Sequence, residues 1–133
     1  MEAALRTAYN LVTGENPDPD AFESVRGQDG WKESTFEING TKLNVAVVNG
    51  LGNADKLLKA IKKGKVSYDF IEVMACPGGC VGGGGQPMYD NVEMAPKRAP
   101  VLYSQDKTSN LRFSHENPSI KEIYNDYLEK PFF

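Results

Sequence analysis

At 133 residues, 40% of them hydrophobic and 25% charged, the chain has the length of one ordinary domain and enough apolar content to bury a core. Its 18 acidic and 15 basic side chains give a net charge of -3, which argues against a nucleic-acid binder. No apolar run approaches the roughly 20 residues of a membrane helix, and the opening Met1-Glu2-Ala3-Ala4-Leu5-Arg6 lacks the basic-then-apolar order of a secretion signal. The expectation is one domain over residues 1–133 in the cytoplasm, with no nucleic-acid or membrane partner. Two cysteines, Cys76 and Cys80, and one histidine, His115, are too few for a disulfide framework or for a closed four-ligand metal site.

The first segment reads as a helix, with Ala4, Ala8 and Leu11 recurring on one face and Leu5, Tyr9 and Val12 beside them. Gly14 supplies its stop, and Asn16-Pro17-Asp18-Pro19-Asp20 is loop chemistry. No capping residue precedes Glu2, so the helix reads as one whose lead-in has been removed or never existed. Residues 35–38 and 43–48 predict a hairpin about the Asn39-Gly40 turn. Asn49-Gly50-Leu51-Gly52 breaks the second strand, and Asn53 then caps a helix that buries Ala54, Leu57, Leu58 and Ile61. Its C-terminal lysines, Lys62, Lys63 and Lys65, suit the helix dipole and read as a solvated end.

Residues 66–74 predict a strand covered on both faces near Phe70 and Ile71. Strand, helix and strand at this spacing imply a right-handed crossover. Residues 75–114 read mostly as loop, with six glycines between 78 and 85 and with Pro87, Pro96 and Pro100 following. A last helix begins at Asn117-Pro118 and carries the stripe Ile120, Ile123, Tyr124, Tyr127 and Leu128. The fold class is therefore α/β: a small mixed or parallel sheet flanked by helices, with a long Gly-rich cysteine loop at the end of the 66–74 strand.

Chemistry concentrates in residues 72–87. Both cysteines follow a strand end, where open α/β sheets place ligands. Glycines beside thiolates let the backbone approach a bulky anionic group and direct N–H groups at it, as iron–sulfur clusters require. A local disulfide, a zinc site and two structural thiols compete with that reading. Zinc lacks a second ligand pair, and residues 82–85 lead to Gln86-Pro87 instead of the Lys-Ser/Thr of a phosphate loop. Glu72 is either an exposed strand acid or an acceptor supporting the site. Lys97-Arg98 is either a solvated pair or a surface for an acidic electron donor. His115 reads as a surface or capping residue, and Trp31 and the C-terminal tyrosines as packing.

Met74-Ala75-Cys76-Pro77-Gly78-Gly79-Cys80, with Gly83-Gly84-Gly85-Gln86-Pro87 following, resembles the third, C-terminal cysteine motif of the [FeFe]-hydrogenase catalytic domain. The opening nine residues, Tyr68-Asp69-Phe70-Ile71-Glu72 and Glu116-Asn117-Pro118-Ser119-Ile120 extend the resemblance over the whole chain. It implies a [4Fe–4S] cubane held by four cysteines and linked to a two-iron subcluster that carries CO, cyanide and a dithiolate. By position, Cys76 is then a cubane ligand and Cys80 the ligand that also bridges to the two-iron unit. Met74 corresponds to a methionine packed against that unit, though ordinary strand-end core is an equal reading.

The two motifs that would supply the other cysteines are absent, so the chain holds half a ligand set. The resemblance implies the C-terminal portion of a hydrogenase that interconverts protons and electrons with H2, inactive alone. Its partners would be the upstream part of the catalytic domain and a ferredoxin or nicotinamide-linked electron-transfer subunit. The alternatives are a non-catalytic iron–sulfur assembly, electron-transfer or sensory module, or an apo fragment.

Overall fold

Asn39 and Gly40 both adopt positive φ, 50° and 76°, the twist that joins two antiparallel strands through a two-residue turn. The computed structural model describes residues 1–87, 89–90 and 92–128. On either side of the turn run β1 (Trp31–Ile38) and β2 (Thr41–Asn49), paired from Trp31 opposite Val48 to Ile38 opposite Thr41. Helix α2 (Leu51–Lys62) then crosses over to β3 (Phe70–Met74), which lies parallel to β2. The result is a three-stranded mixed sheet in the order β1-β2-β3. Helices α1 (Glu2–Thr13), α3 (Ala95–Thr108) and α4 (Pro118–Asp126) complete the described chain. No helix among the described residues is long and apolar enough to cross a membrane.

The central strand organises the core. Val45 and Val47 face one side of the sheet, against Leu5, Phe22 and Val25. Ala46 and Val48 face the other, against Ala54 and Leu57 of α2. Both faces of β2 are thus buried, one of them under α2, the crossover helix of the parallel β2–β3 pair. Phe22 meets Phe36 edge to face at 5.0 Å.

Several expectations change. The Ala4, Ala8 and Leu11 side of α1 is not its buried side: Leu5 is covered, whereas Leu11 is 59% exposed. The helix packs instead through Leu5, Arg6 and Thr7, because a hub of ion pairs holds that side down. Helix α2 starts at Leu51 behind Gly50, two residues before the expected Asn53 cap. The Asn53 amide Nδ2 donates back to the Asn49 carbonyl at 2.8 Å instead. Ala54 and Leu57 are buried as expected, but Leu58 is exposed. Strand β3 begins at Phe70, since Asp69 engages the Asn44 backbone through both its amide and its carboxylate. Phe70 and Val73 are exposed, because nothing among the described residues covers the outer side of this edge strand. The stripe on α4 is likewise unburied, and Tyr127 and Leu128 fall beyond the helix end.

The largest change lies in residues 75–114, whose second half is α3 and not loop. Its prolines mislead for a physical reason. Pro96 sits in the first turn, where a missing N–H costs nothing. Pro100 gives up one helix bond, and burial of Ala95 and Ala99 outweighs that loss; locally, the Glu93 carboxylate accepts from the Ala95 amide at 2.7 Å. At the far end, Asp106 accepts from Arg6 at 3.2 and 3.1 Å, from Arg26 at 3.0 Å and from Arg112 at 2.8 Å. Arg6, 3% exposed, also donates to the carbonyls of Pro19 and Arg112. This hub ties α1 to α3.

Candidate metal centre

Strand β3 ends at Met74, whose carbonyl accepts from the Gly50 amide at 2.8 Å. Two residues later comes Cys76, and its carbonyl accepts from Gly79 at 3.0 Å to close a turn. Gly78 and Gly79 both sit at φ 76°, a left-handed conformation that L side chains resist. The chain therefore reverses sharply into the 3-10 turn Gly79–Gly82, which carries Cys80. Both cysteines are free, so the disulfide alternative does not hold here. The Cys80 thiol lies 4.0 Å from the Met74 sulfur. Cys76 is half-buried and Cys80 exposed.

The space around the thiols is kept by absent side chains. A Cβ on Gly79 would lie 3.1 Å from the Met74 sulfur, and one on Gly83 would lie 3.7 Å from the Cys76 sulfur. A Cβ on Gly82 would fall 2.3 Å from the Pro77 carbonyl oxygen, whereas Gly84 has nothing within 4 Å. Gly82→Ala is therefore expected to shift the cysteine turn and to cost about 1–3 kcal/mol, read as a lower thermal midpoint. Gly84→Ala should stay within about 0.5 kcal/mol of the parent. Equal effects of the two would remove the steric account of the turn.

A cavity of about 250 Å³ opens beside Met74 and Cys80, and Glu72, Arg26 and Tyr103 are among its walls. Glu72 meets the Met1 ammonium at 2.6 Å. Arg26 stacks over Tyr103 at 4.8 Å and pairs with Glu2; that pairing, more than burial opposes it, raises its pKa. Asn49 ends β2 in register with Met74 and is buried, with its Nδ2 donating to the Asp29 carbonyl at 3.0 Å. Its Oδ1 has no partner and lies 3.2 Å from where a Gly79 Cβ would be. Asn49 is a buried polar residue beside the cysteine turn that sequence reasoning missed, since Asn-Gly there signals only a strand end. A polar residue closing an apolar β-run directly before a glycine is the signal that could have found it.

Of the other singled-out residues, His115 and Trp31 lie apart from this site, whereas Arg98 adjoins it. His115 bonds Thr7 at 3.0 Å through Nδ1 and Asn16 at 2.8 Å through Nε2, so it joins α1 to the turn before α4. Trp31 packs against the Ala46 and Val48 side of the sheet. Arg98 turns toward the glycine run and donates to the carbonyls of Val81 and Pro87.

The donor set fits an iron–sulfur group in kind but not in number. Two soft thiols, a polarizable thioether and a glycine cradle suit iron–sulfur chemistry. Yet among the described residues no three His, Cys, Asp or Glu side chains gather as a metal would need, while a cubane takes about four thiolates. The fold and site thus define an α/β domain with two free thiols on one glycine-built turn.

The chain belongs to the iron-only hydrogenase family. The model for the iron only hydrogenase large subunit, C-terminal domain, matches residues 1–84, and that for the iron hydrogenase small subunit matches residues 92–132. Subunit HndD of the NADP-reducing hydrogenase of Solidesulfovibrio fructosivorans is 52% identical over 132 residues, 98% of this chain and 22% of that protein. The periplasmic [Fe] hydrogenase large subunit of Nitratidesulfovibrio vulgaris is 53% identical over 105 residues, 78% of this chain and 25% of that protein. A probable cytosolic Fe-S cluster assembly factor of Drosophila virilis is 35% identical over 127 residues, 92% of this chain and 26% of that protein. An apo [FeFe]-hydrogenase of Chlamydomonas reinhardtii superposes with a TM-score of 0.75 at 43% identity, over 98% of this chain and 40% of that one. The chain spans about a quarter of the length of these curated relatives.

Proposed function

We propose that this chain is the C-terminal portion of an [FeFe]-hydrogenase catalytic domain, and that Cys76 and Cys80 are its contribution to the cluster of that enzyme. The observation that carries the reading is the pair of free cysteines on one glycine-built turn, with the Met74 sulfur 4.0 Å from Cys80. When bound, the cluster would supply one-electron transfer and the metal at which H2 is formed or split. Cys76 and Cys80 would hold it, Cys80 as the ligand shared with the two-iron unit. Met74 offers an apolar, polarizable surface that keeps water away without competing as a strong ligand. The glycine backbone lets the chain approach closely and leaves N–H groups free to face anionic sulfur.

The remaining thiolates come from the upstream part of the catalytic domain in this reading. Electrons arrive from a ferredoxin or a nicotinamide-linked subunit; the resemblance to a subunit of an NADP-reducing hydrogenase supports the second. Free thiols as ligands suit a reducing compartment, and we place the protein in the cytoplasm.

The test is iron and acid-labile sulfide per chain, on protein purified anaerobically. The chain alone is expected to hold almost no iron and to evolve no H2. Joined by the upstream part of the domain and loaded with cluster, it is expected to evolve H2 from a reduced viologen. About four irons per two unsupplemented chains would replace this reading with a cluster shared between copies, suited to electron transfer or sensing. A loaded, complete domain without H2 evolution would favour an assembly module.

A further inference from the structure

Arg98 lies one turn into α3, in the part of the chain matched by the small-subunit model. Sequence left it between a solvated loop residue and a docking charge; the structure gives it other work. Its Nη1 donates to the Val81 carbonyl at 2.8 Å, and its Nη2 donates to the Pro87 carbonyl. Those carbonyls bracket the four glycines at residues 82–85, and Val81 directly follows Cys80.

Such a segment needs an external hold. Glycine loses more conformational freedom on ordering than any other residue, and nothing stands within 4 Å of a Cβ on Gly84 or Gly85. Within the run a single long backbone bond among the described loop residues, from the Gln86 amide to the Gly83 carbonyl at 3.3 Å, gives little support. The guanidinium supplies two charge-assisted bonds from one planar fork, which a lysine cannot reproduce. Its own base is fixed. Ala95, one turn earlier and buried, stands 3.1 Å from a Gly78 Cβ and 3.6 Å from a Gly82 Cβ. The Gln28 side chain anchors the Ala95 carbonyl at 2.8 Å.

We propose that Arg98 is the positioning residue of the cysteine turn: it clasps both ends of residues 81–87, holds the backbone that carries Cys80, and sets a positive charge beside the bound cluster. The clasp rests on the geometry alone, and only the effect of its charge rests on the cluster reading above. It also means that the segment matched by the small-subunit model shapes the site borne by the segment matched by the large-subunit model. A cation there favours the more negative, reduced state of a cluster and so raises its reduction potential.

The experiment measures backbone ¹⁵N order parameters in the full chain, without metal, for the parent, Arg98→Met and Arg98→Lys. In the parent, residues 82–85 are expected near the rigid value of about 0.85, and in both variants below about 0.6, with β2 and α2 unchanged. Parent values already below about 0.6, or unchanged values in the variants, would overturn the clasp. Loosening spread evenly over the chain would overturn it too. In the cluster-loaded domain completed by its upstream part, Arg98→Met is expected to lower the reduction potential, while Arg98→Lys keeps it near the parent value. An unchanged potential in Arg98→Met would overturn the charge effect and leave the order-parameter result to decide the clasp. Failure of the chain joined by the upstream part of the domain to take up any cluster, by contrast, would count against the proposed function and not against the clasp.

Discussion

Cys80→Ala is expected to abolish H2 evolution by the complete, cluster-loaded domain and to remove the CO and cyanide infrared bands of the two-iron unit. The magnitude follows from the role assigned to the residue. A ligand shared between two metal units has no substitute nearby, because among the described residues no other Cys or His stands with Cys76 and Cys80. Cys76→Ala should instead show as loss of cubane iron. The fold should survive Cys80→Ala, since the side chain is exposed and belongs to neither core cluster. Thermal unfolding of the metal-free variant would check this. Retention of the infrared bands in Cys80→Ala would remove its bridging role and leave Cys76 as the residue to re-examine.

The second large effect is on stability. Asp106→Ala withdraws the acceptor common to Arg6, Arg26 and Arg112 and leaves the buried Arg6 guanidinium undercompensated. Breaking a buried pair costs about 3–5 kcal/mol. Asp106 itself is 30% exposed, so water relieves part of that, and about 2–3 kcal/mol is expected, a fall of roughly 10 °C in thermal midpoint. A change below about 1 kcal/mol would mean that the hub is a surface network with little energetic weight. Because the hub joins α1 to α3, the loss should loosen the segment that carries Arg98 as well.

The same hub predicts the acid limit of the fold. Burial works against the Asp106 carboxylate, but the hydrogen bonds from Arg6 and Arg112 prevail and hold its pKa below the ordinary 3.8. The Arg112 hydrogen bond likewise lowers Asp20. A carboxyl whose folded pKa is depressed stabilises the fold fully above its unfolded value and loses that contribution as the pH falls through the folded value. The thermal midpoint should accordingly drop as the pH falls below about 4. That drop should shrink in Asp106→Asn, which starts lower and no longer titrates at this position.

Much of this protein was determined by the sequence. The Asn39-Gly40 turn, the β2 run Val45-Ala46-Val47-Val48, the Gly14 stop and the Asn117-Pro118 helix start are short-range signals, each set by backbone sterics or by a local hydrogen bond. The cysteine motif was equally legible, because two thiols among glycines need no distant residue to be recognised. What only the tertiary structure decided involves partners far apart in the chain. Apolar spacing alone could not choose which side of α1 is buried. That choice belongs to Arg6 and its acceptor Asp106, a hundred positions away. Nor could it foresee that α3 survives Pro100, since the compensation lies in Ala95, Ala99 and the Asp106 hub. Arg98 on the carbonyls of Val81 and Pro87, and Asn49 buried beside Gly79, are of the same kind. Long-range hydrogen bonds and burial carry no local pattern, so they become visible only once the chain has closed on itself.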